Sequence, residues 1–175
     1  FDGAGKVSFG TDFQFTDEAF TYSMWMKSTS ASQTMNTVPL ATYDGTTAFT
    51  GYYVAQDQNN QNSYRLTGND GNSWHPGGPG RFTLEVDTWT HIVLVRVGST
   101  VKCYKNGALE YSDTDAISST LAYGPANPQL TMGDAAGNGF QEYGWEGELD
   151  DVRVWSRALT AASVTALYDA GRDPV

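Results

Sequence analysis

Short apolar and aromatic runs recur along the whole chain and are separated by clusters of glycine, asparagine, aspartate, serine and threonine. Within these runs, apolar side chains alternate with polar ones or follow one another over a few residues, which is the pattern of β-strands. The runs that fit a strand are 6–10, 20–28, 38–43, 51–56, 63–67, 81–86, 90–97, 101–105, 109–112, 129–132 and 148–155. This pattern predicts an all-β protein.

The period of the apolar positions changes only near the C-terminus. After the strand run 148–155, Val164 and Tyr168 are spaced one helical turn apart on what would be one face of a helix. Thr160 is a suitable N-cap and Gly171 a suitable residue to end the helix. The pattern therefore predicts one small amphipathic helix, which has to pack on a sheet.

Residues 90–112 are predicted to form an antiparallel meander. Its first turn lies at 98–100, where a glycine follows an apolar strand. Its second turn contains Asn106 and Gly107, the strongest short hairpin signal, because both central residues of a type I′ turn need positive φ.

Two longer segments are rich in glycine and lack a strand pattern. Segment 68–80 carries Trp74 and His75 in its middle, and segment 133–147 carries acidic, amide and aromatic side chains. Binding groups often lie on loops that a rigid scaffold positions. These two segments are therefore the first places to look for a site.

Length and charge restrict the possibilities further. A chain of 175 residues fits one domain with one core, so residues 1–175 are taken as a single domain. A start at Phe1 indicates a domain excised from a larger protein or a processed chain. The net charge of −10 argues against nucleic acid as a partner, because no basic stripe is present to contact phosphates. The one cysteine, Cys103, excludes an internal disulfide and is expected to be buried in a strand.

Five short motifs occur in an ordered series. They are Phe1-Asp2-Gly3, residues 20–26, residues 89–93, residues 104–107, and residues 147–155 followed by 157–159. Together they resemble the laminin G-like and concanavalin A-like lectin and glucanase superfamily, in its bacterial, pentraxin-related branch, over almost the whole chain. The resemblance implies a jelly-roll sandwich of two curved antiparallel sheets with one short C-terminal helix. It also implies that the final strand returns beside the first.

Calcium is the cofactor that this resemblance implies, because pentraxin-like members hold calcium at loops in comparable positions. Calcium takes several hard oxygen ligands, which loops supply readily. The candidate ligands for one Ca²⁺ ion are Asp44, Asp134, Gln141 and Glu142.

An alternative structural metal site would lie where the two ends of the chain meet. If the last strand runs beside the first, Asp2 approaches Asp150 or Asp151, and two neighbouring carboxylates need an arginine or a cation between them. Pairing with Arg153 or Arg157 is the competing arrangement and the preferred one, because carboxylates at strand ends usually find a neighbouring guanidinium.

Sugar binding needs flat apolar faces with polar groups that match the sugar hydroxyls. The candidates for carbohydrate binding are Trp74, His75, Tyr143, Trp145 and Tyr52, with Trp74 favoured. Core packing is the competing explanation for each aromatic residue. It is preferred for Trp89 and Trp155, which accompany apolar strands.

No complete catalytic pattern is found. Residues 148–150 supply the first half of the Glu-x-Asp-x-x-Glu pattern of glucanases on this fold, as do residues 85–87, but the last glutamate is missing in both. His91 falls in an apolar strand and is expected to be a hydrogen-bonded core histidine. The prediction is therefore a protein that is not an enzyme, with no catalytic residues.

The leading expectation is a lectin-like carbohydrate-binding or adhesion module, calcium-assisted and secreted or cell-surface, with a glycan or polysaccharide as partner. A structural spacer of a larger surface protein, which contacts protein, is the first alternative. A divergent glycan-cleaving enzyme is the second. Neither nucleic-acid binding nor membrane insertion is expected, since no apolar run approaches the ~20 residues that span a bilayer.

Overall fold

A computed structural model describes residues 1–3, 5–31, 33, 37–42, 50–57, 60–68, 70, 79–123, 129–133 and 144–171. The elements are β1 (Val7–Ser8), β2 (Phe20–Ser28), β3 (Leu40–Ala41), β4 (Tyr52–Asp57), β5 (Asn60–Gly68), β6 (Phe82–Thr83), β7 (Thr90–Val97), β8 (Thr100–Lys105), β9 (Ala108–Asp113), β10 (Thr131–Met132), β11 (Gly147–Trp155) and α1 (Ala161–Ala170). The predicted β-class and the single C-terminal helix are confirmed.

Two antiparallel sheets make up the domain. One has six strands in the order β1-β10-β3-β4-β5-β6, and the other has five in the order β11-β2-β7-β8-β9. β1 and β11 are outermost strands of different sheets, and they lie along the same edge of the sandwich, where side chains of both line one groove. Ahead of β1, Phe1 pairs with Gly147, the first residue of β11, and Asp2 pairs with Glu146, on the side of β11 away from β2.

The main core fills the space between the sheets because side chains alternate along each strand. Tyr22, Met24 and Met26 of β2 point into it and are completely buried. Ile92 and Leu94 of β7 meet them from the neighbouring strand. Burying each such side chain contributes about 2 kcal/mol to stability. The apolar positions that alternate along β2 and β7 therefore hold the five-stranded sheet against the six-stranded sheet.

Helix α1 covers part of the outer face of the five-stranded sheet. Val93 and Val95 of β7 form a second cluster with Leu159 and Val164. The helix begins where expected, because the Thr160 side chain accepts a hydrogen bond from the Ser163 amide at 3.2 Å.

Gly171 ends the helix for a reason other than the one the sequence suggested. Its φ is −107°, outside the left-handed region, although its amide still donates to the carbonyls of Leu167 and Tyr168. A Cβ at this position would lie 2.7 Å from Nε1 of Trp25. Glycine is required here because the chain passes close to the tryptophan ring.

Both predicted hairpins of the meander are present. Asn106 and Gly107 have φ of 51° and 79°, as a type I′ turn requires. The β7–β8 hairpin turns through Gly98 and Ser99, with Val97 paired to Thr100.

Several predicted strands are shorter than the apolar pattern suggested, because pairing partners end before the pattern does. β6 pairs only with Ser63 and Tyr64 of β5. After it, the chain crosses to the other sheet, where Val86 forms a parallel bridge with Ser28. The run 81–86 therefore serves both sheets and is a strand for only two residues.

Candidate functional site

Seven of the residues that the sequence singled out lie outside the described ranges. They are Trp74, His75 and Tyr143 among the carbohydrate-binding candidates, and Asp44, Asp134, Gln141 and Glu142 among the calcium candidates. They remain predictions.

The described residues that flank these loops lie at opposite ends of the six-stranded sheet. Thr42 and Gly68 both neighbour Tyr52 at one end, where loops 43–49 and 71–78 leave the sheet. At the other end the Gly133 amide donates to the Pro39 carbonyl at 3.0 Å, just before segment 134–143. Gly68 is thus level with Thr42, and Gly133 is level with Pro39, three residues or about 10 Å away along the strand direction.

Trp145 is part of the core, which corrects its assignment to a sugar-binding surface. Its side chain is completely buried, and Nε1 donates a hydrogen bond to the Tyr64 hydroxyl at 3.1 Å. Burial raises the pKa of Tyr64 to about 12, so that hydroxyl stays neutral. The indole has no face left for a ligand.

Tyr52 needs the same correction. Its ring is completely buried between Phe15 and Phe20. The hydroxyl contacts that of Tyr22 and donates to the Phe13 carbonyl at 2.8 Å. Burial raises its pKa well above the ordinary value, so Tyr52 is a hydrogen-bonded core residue.

Asp2 and Asp150 are not brought together. Asp2 lies opposite Glu146, four residues before Asp150, which corresponds to about 13 Å along a strand. The Asp150 carboxylate accepts a hydrogen bond from the Asp151 backbone amide at 2.7 Å, and Nε of Arg153 lies 2.8 Å from Oδ1 of Asp151. The ion pair of Arg153 with one of the two predicted carboxylates, Asp151, is therefore present. Among the residues that the structure describes, no group of three or more His, Cys, Asp or Glu side chains could hold a metal.

Three side chains form a row on the outer face of the five-stranded sheet, in the part of that face that helix α1 does not cover. We call Trp89, Lys27 and Glu148 the outer row. Lys27 on β2 is in register with Glu148 on β11. Its Nζ lies 2.5 Å from Glu148 Oε1 and 5.0 Å from the centroid of the Trp89 ring. The ammonium therefore joins an aromatic platform to a carboxylate.

The outer row is accessible to solvent because helix α1 stops before reaching it. Tyr168 in the last turn of the helix stacks on Trp25 with ring centroids 5.9 Å apart, and Trp25 is two residues from Lys27 on the same face of β2. Beyond it, Trp89 is partly exposed, and the Glu148 side chain is 51% exposed. The exposed carboxylate of Asp87 precedes Trp89 by two residues. The row thus combines an apolar ring with one ammonium and one carboxylate, and Asp87 adds a second carboxylate nearby in the chain.

Trp89 is the residue that the sequence reading missed. Its position beside the apolar run 90–97 suggested the core. The signal that identifies it is alternation, because Ile92 and Leu94 face the core and Trp89 therefore shares the outer face with His91 and Val93.

The half-pattern Glu148-x-Asp150 lies on this same outer face, as alternation predicted. Glu148 is held by Lys27, and Asp150 by the amide of Asp151. A β-bulge between Asp150 and Arg153 follows, with Asp151 at a φ of 47°. The bulge brings residue 153, the position of the third acid in the glucanase pattern, onto this same face in register with Ser23, and that residue is Arg153.

His91 lies next to the outer row but beneath the helix. Its Nε2 shares a hydrogen bond of 2.8 Å with the Ser23 hydroxyl, and its ring packs between Trp25 and Tyr168. Its Nδ1 is buried and reaches no hydrogen-bond partner in the described part of the chain. Burial lowers the pKa of His91 to about 4, opposed by the nearby charge of Asp151 and reinforced by that of Arg153. The predicted hydrogen-bonded core histidine is confirmed.

Acid is expected to destabilise the fold through His91. Unfolded, its pKa is close to 6.5, so between pH 6.5 and 4 only the unfolded chain takes up the proton. Stability contributed by the neutral ring is complete above pH 6.5 and falls by roughly 3 kcal/mol as the pH drops to 4. Urea denaturation of wild type and His91→Gln at several pH values measures this. The stability of wild type relative to His91→Gln should fall by roughly 3 kcal/mol as the pH drops from 6.5 to 4. His75→Gln is the control and should follow wild type. Parallel curves for wild type and His91→Gln would contradict the assignment.

Comparison with known proteins gives one family and several similar structures. The family model Laminin_G_3, described as the concanavalin A-like lectin/glucanases superfamily, matches residues 1–165. No curated protein matches the chain.

Solved structures with this fold include proteins that bind glycans. A heptameric SAP-like pentraxin from Limulus polyphemus is 18% identical, with 96% of this chain and 83% of that one covered and a TM-score of 0.61. Domain 4 of AbnA, an extracellular GH43 arabinanase from Geobacillus stearothermophilus in complex with arabinotriose, is 18% identical, with 96% and 74% covered and a TM-score of 0.66. The binding domain of botulinum neurotoxin DC in complex with SialylT is 11% identical, with 94% and 38% covered and a TM-score of 0.63. At these identities the likeness establishes the fold.

Proposed function

Because the chain belongs to the concanavalin A-like lectin/glucanases superfamily, we propose that it is a non-catalytic carbohydrate-binding module whose described contact surface is the outer row. The observation that carries the proposal is the partly exposed Trp89 ring beside the Lys27 ammonium and the Glu148 carboxylate. An aromatic face packs against the apolar side of a sugar ring, and charged groups next to it bind the hydroxyls. Two structural neighbours are complexes with arabinotriose and SialylT, which supports a glycan or polysaccharide as the ligand class.

Three of the four predicted calcium ligands, Asp134, Gln141 and Glu142, lie in the sequence segment just before Gly147 and Glu148 of β11. We keep calcium as part of the proposal, with the ligands predicted from the sequence.

Replacing Trp89 by alanine is expected to weaken glycan binding by about 30-fold, because removing a stacking indole costs roughly 2 kcal/mol. Wild type is first screened on an array of plant, bacterial and sialylated glycans, and the best ligand is then titrated by calorimetry against both proteins. Phe9→Ala is the matched control, because Phe9 is an exposed aromatic residue on a different edge of the domain. The titration is repeated with a chelator and again after Ca²⁺ is restored.

The variant, the chelator and the glycan screen each test a separate part of the proposal. Undiminished binding by Trp89→Ala would remove the outer row from the proposal, and binding unaffected by the chelator would remove calcium. Failure of wild type to bind any glycan would exclude the carbohydrate function. The structural spacer that contacts protein would then be the remaining explanation.

The enzyme alternative has its own observation, since Glu148 and Asp150 share the solvent face of β11. Hydrolysis of a bound glycan, lost on Glu148→Gln and Asp150→Asn, would establish it. A secreted or cell-surface location fits a polysaccharide ligand and the extracellular arabinanase among the neighbours. No helix in the described part of the chain is long and apolar enough to span a membrane.

A further inference from the structure

An apolar groove of about 470 Å³ runs along the edge of the sandwich where β1 and β11 lie side by side. Its lining consists of apolar side chains from both sheets, with two carboxylates at the rim: Phe1, Val7, Phe9, Phe13, Leu130, Met132, Leu149, Val152 and Val154, with Asp150 and Asp151. Val7 and Phe9 are each 46% exposed. The groove is large enough for several side chains, and the proposed carbohydrate function does not use it.

One end of the groove is already closed by a short strand pairing. The Phe1 amino group donates to the Gly147 carbonyl at 2.7 Å, and the Gly147 amide donates back to the Phe1 carbonyl at 3.1 Å. Asp2 forms the next antiparallel bridge with Glu146. Phe1 also lies 6.4 Å from the Trp145 ring, so its side chain belongs to the inner face.

The antiparallel direction of this pairing determines where residues that precede Phe1 would lie. In an antiparallel ladder, residues attached ahead of Phe1 run along the outer edge of β11, toward Leu149 and Asp150. No described residue pairs with Leu149 on that outer edge. An unpaired strand edge next to exposed apolar side chains is a template for another strand.

We propose that the groove is the docking site for an extended polypeptide strand that runs directly into Phe1. In a protein in which residues precede Phe1, that strand extends the five-stranded sheet by one strand and covers the groove. The domain is thereby fixed rigidly to the segment before it.

Side-chain alternation sets the chemistry of this strand. Phe1 pairs with Gly147, so the second residue before Phe1 pairs with Leu149 and points into the groove. The first and third residues before Phe1 point to solvent, and the third lies beside the Asp150 carboxylate. The strand should therefore carry apolar residues at alternate positions and a basic or neutral residue next to Asp150.

The bulge in β11 limits the length of the pairing. The Asp151 amide bonds to the Asp150 side chain, and the register shifts before Arg153. The ladder therefore extends for three or four residues before it meets the bulge. A second copy of the chain is a poorer occupant, because both copies would bring exposed Asp150 and Asp151 together at a net charge of −10.

The test uses two N-terminal extensions with the same composition. They differ in which residues alternate into the groove and which point to solvent. Leu-Lys-Leu-Ser placed before Phe1 directs both leucines into the groove, whereas Ser-Leu-Lys-Leu directs the lysine there. We expect the first to raise Tm by about 5 °C over the unextended protein and the second to leave Tm unchanged, because only the first buries its leucines. Phe9→Asp, which places a charge in the groove, should abolish the gain of the first extension.

Two outcomes would overturn the proposal. The first is an equal Tm for the two extensions, or a gain that survives Phe9→Asp. The second is dimerisation of the unextended protein, measured by light scattering and abolished by Phe9→Asp, because the groove would then accept a second copy. Glycan binding is measured separately and decides only the carbohydrate proposal.

Discussion

Arg96→Met is expected to lower the free energy of unfolding by about 4 kcal/mol, because it leaves several buried carbonyls without a donor. The Arg96 side chain is completely buried at the end of β7. It donates to the carbonyls of Gly98 at 2.9 Å, Glu18 at 2.8 Å, Ser118 at 3.1 Å and Ser119 at 2.5 Å. Its guanidinium also lies 5.5 Å from the Phe20 ring. One side chain thus joins three separate loops to the edge of the core.

The loss of stability should depend on the guanidinium of Arg96 and on its planar geometry. Burial lowers the pKa of Arg96, yet arginine keeps its proton throughout the pH range in which proteins fold. Arg96→Lys keeps a charge but loses the planar fork, so it should recover only part of the stability. Arg157→Met removes an exposed arginine and should change unfolding by less than about 0.5 kcal/mol. Urea titration of the three variants measures this, and an Arg96→Met loss as small as that of Arg157→Met would refute the role.

Trp145→Ala is expected to cost about 4 kcal/mol of stability, the usual loss when a buried tryptophan is truncated. The indole packs in the main core, lies beside Phe1, and satisfies the Tyr64 hydroxyl. Its removal leaves a cavity and a buried hydroxyl without its donor. Trp145→Phe, which refills most of the volume, should cost clearly less.

Trp89→Ala provides the comparison that separates the core from the surface. Trp89 is partly exposed on the outer face, so its loss should change thermal stability little while it weakens glycan binding. Trp145→Ala should show the reverse, with a large drop in Tm measured by calorimetry. Comparable stability losses in the two variants would show that Trp89 also belongs to the core.

Alternation along single strands was enough to predict much of the fold. β2 and β7 are found at the predicted bounds, because each is long, apolar on its inner face and paired on both sides. Short strands such as β3 and β6 were predicted too long. Their ends depend on where a partner stops, which is a property of two segments together.

The candidate site was less predictable for a related reason. Trp145 lies in the glycine-rich segment 133–147 and Tyr52 directly follows Gly51, and both were predicted at a surface, whereas Trp89 adjoins an apolar strand and was predicted in the core. In all three cases the assignment followed the sequence neighbours of the residue. Burial depends instead on which face of the sandwich the side chain occupies and on what covers that face.

The sequence by itself determined the β-class, the tight turn at Asn106 and Gly107, and the capped C-terminal helix, because these follow from the periodicity and backbone preferences of adjacent residues. Only the tertiary structure decided that Lys27 and Glu148, far apart in the chain, meet beside Trp89, and that Phe1 pairs with Gly147 at the start of β11. Register between distant strands is set by packing of the whole core, so no local pattern contains it.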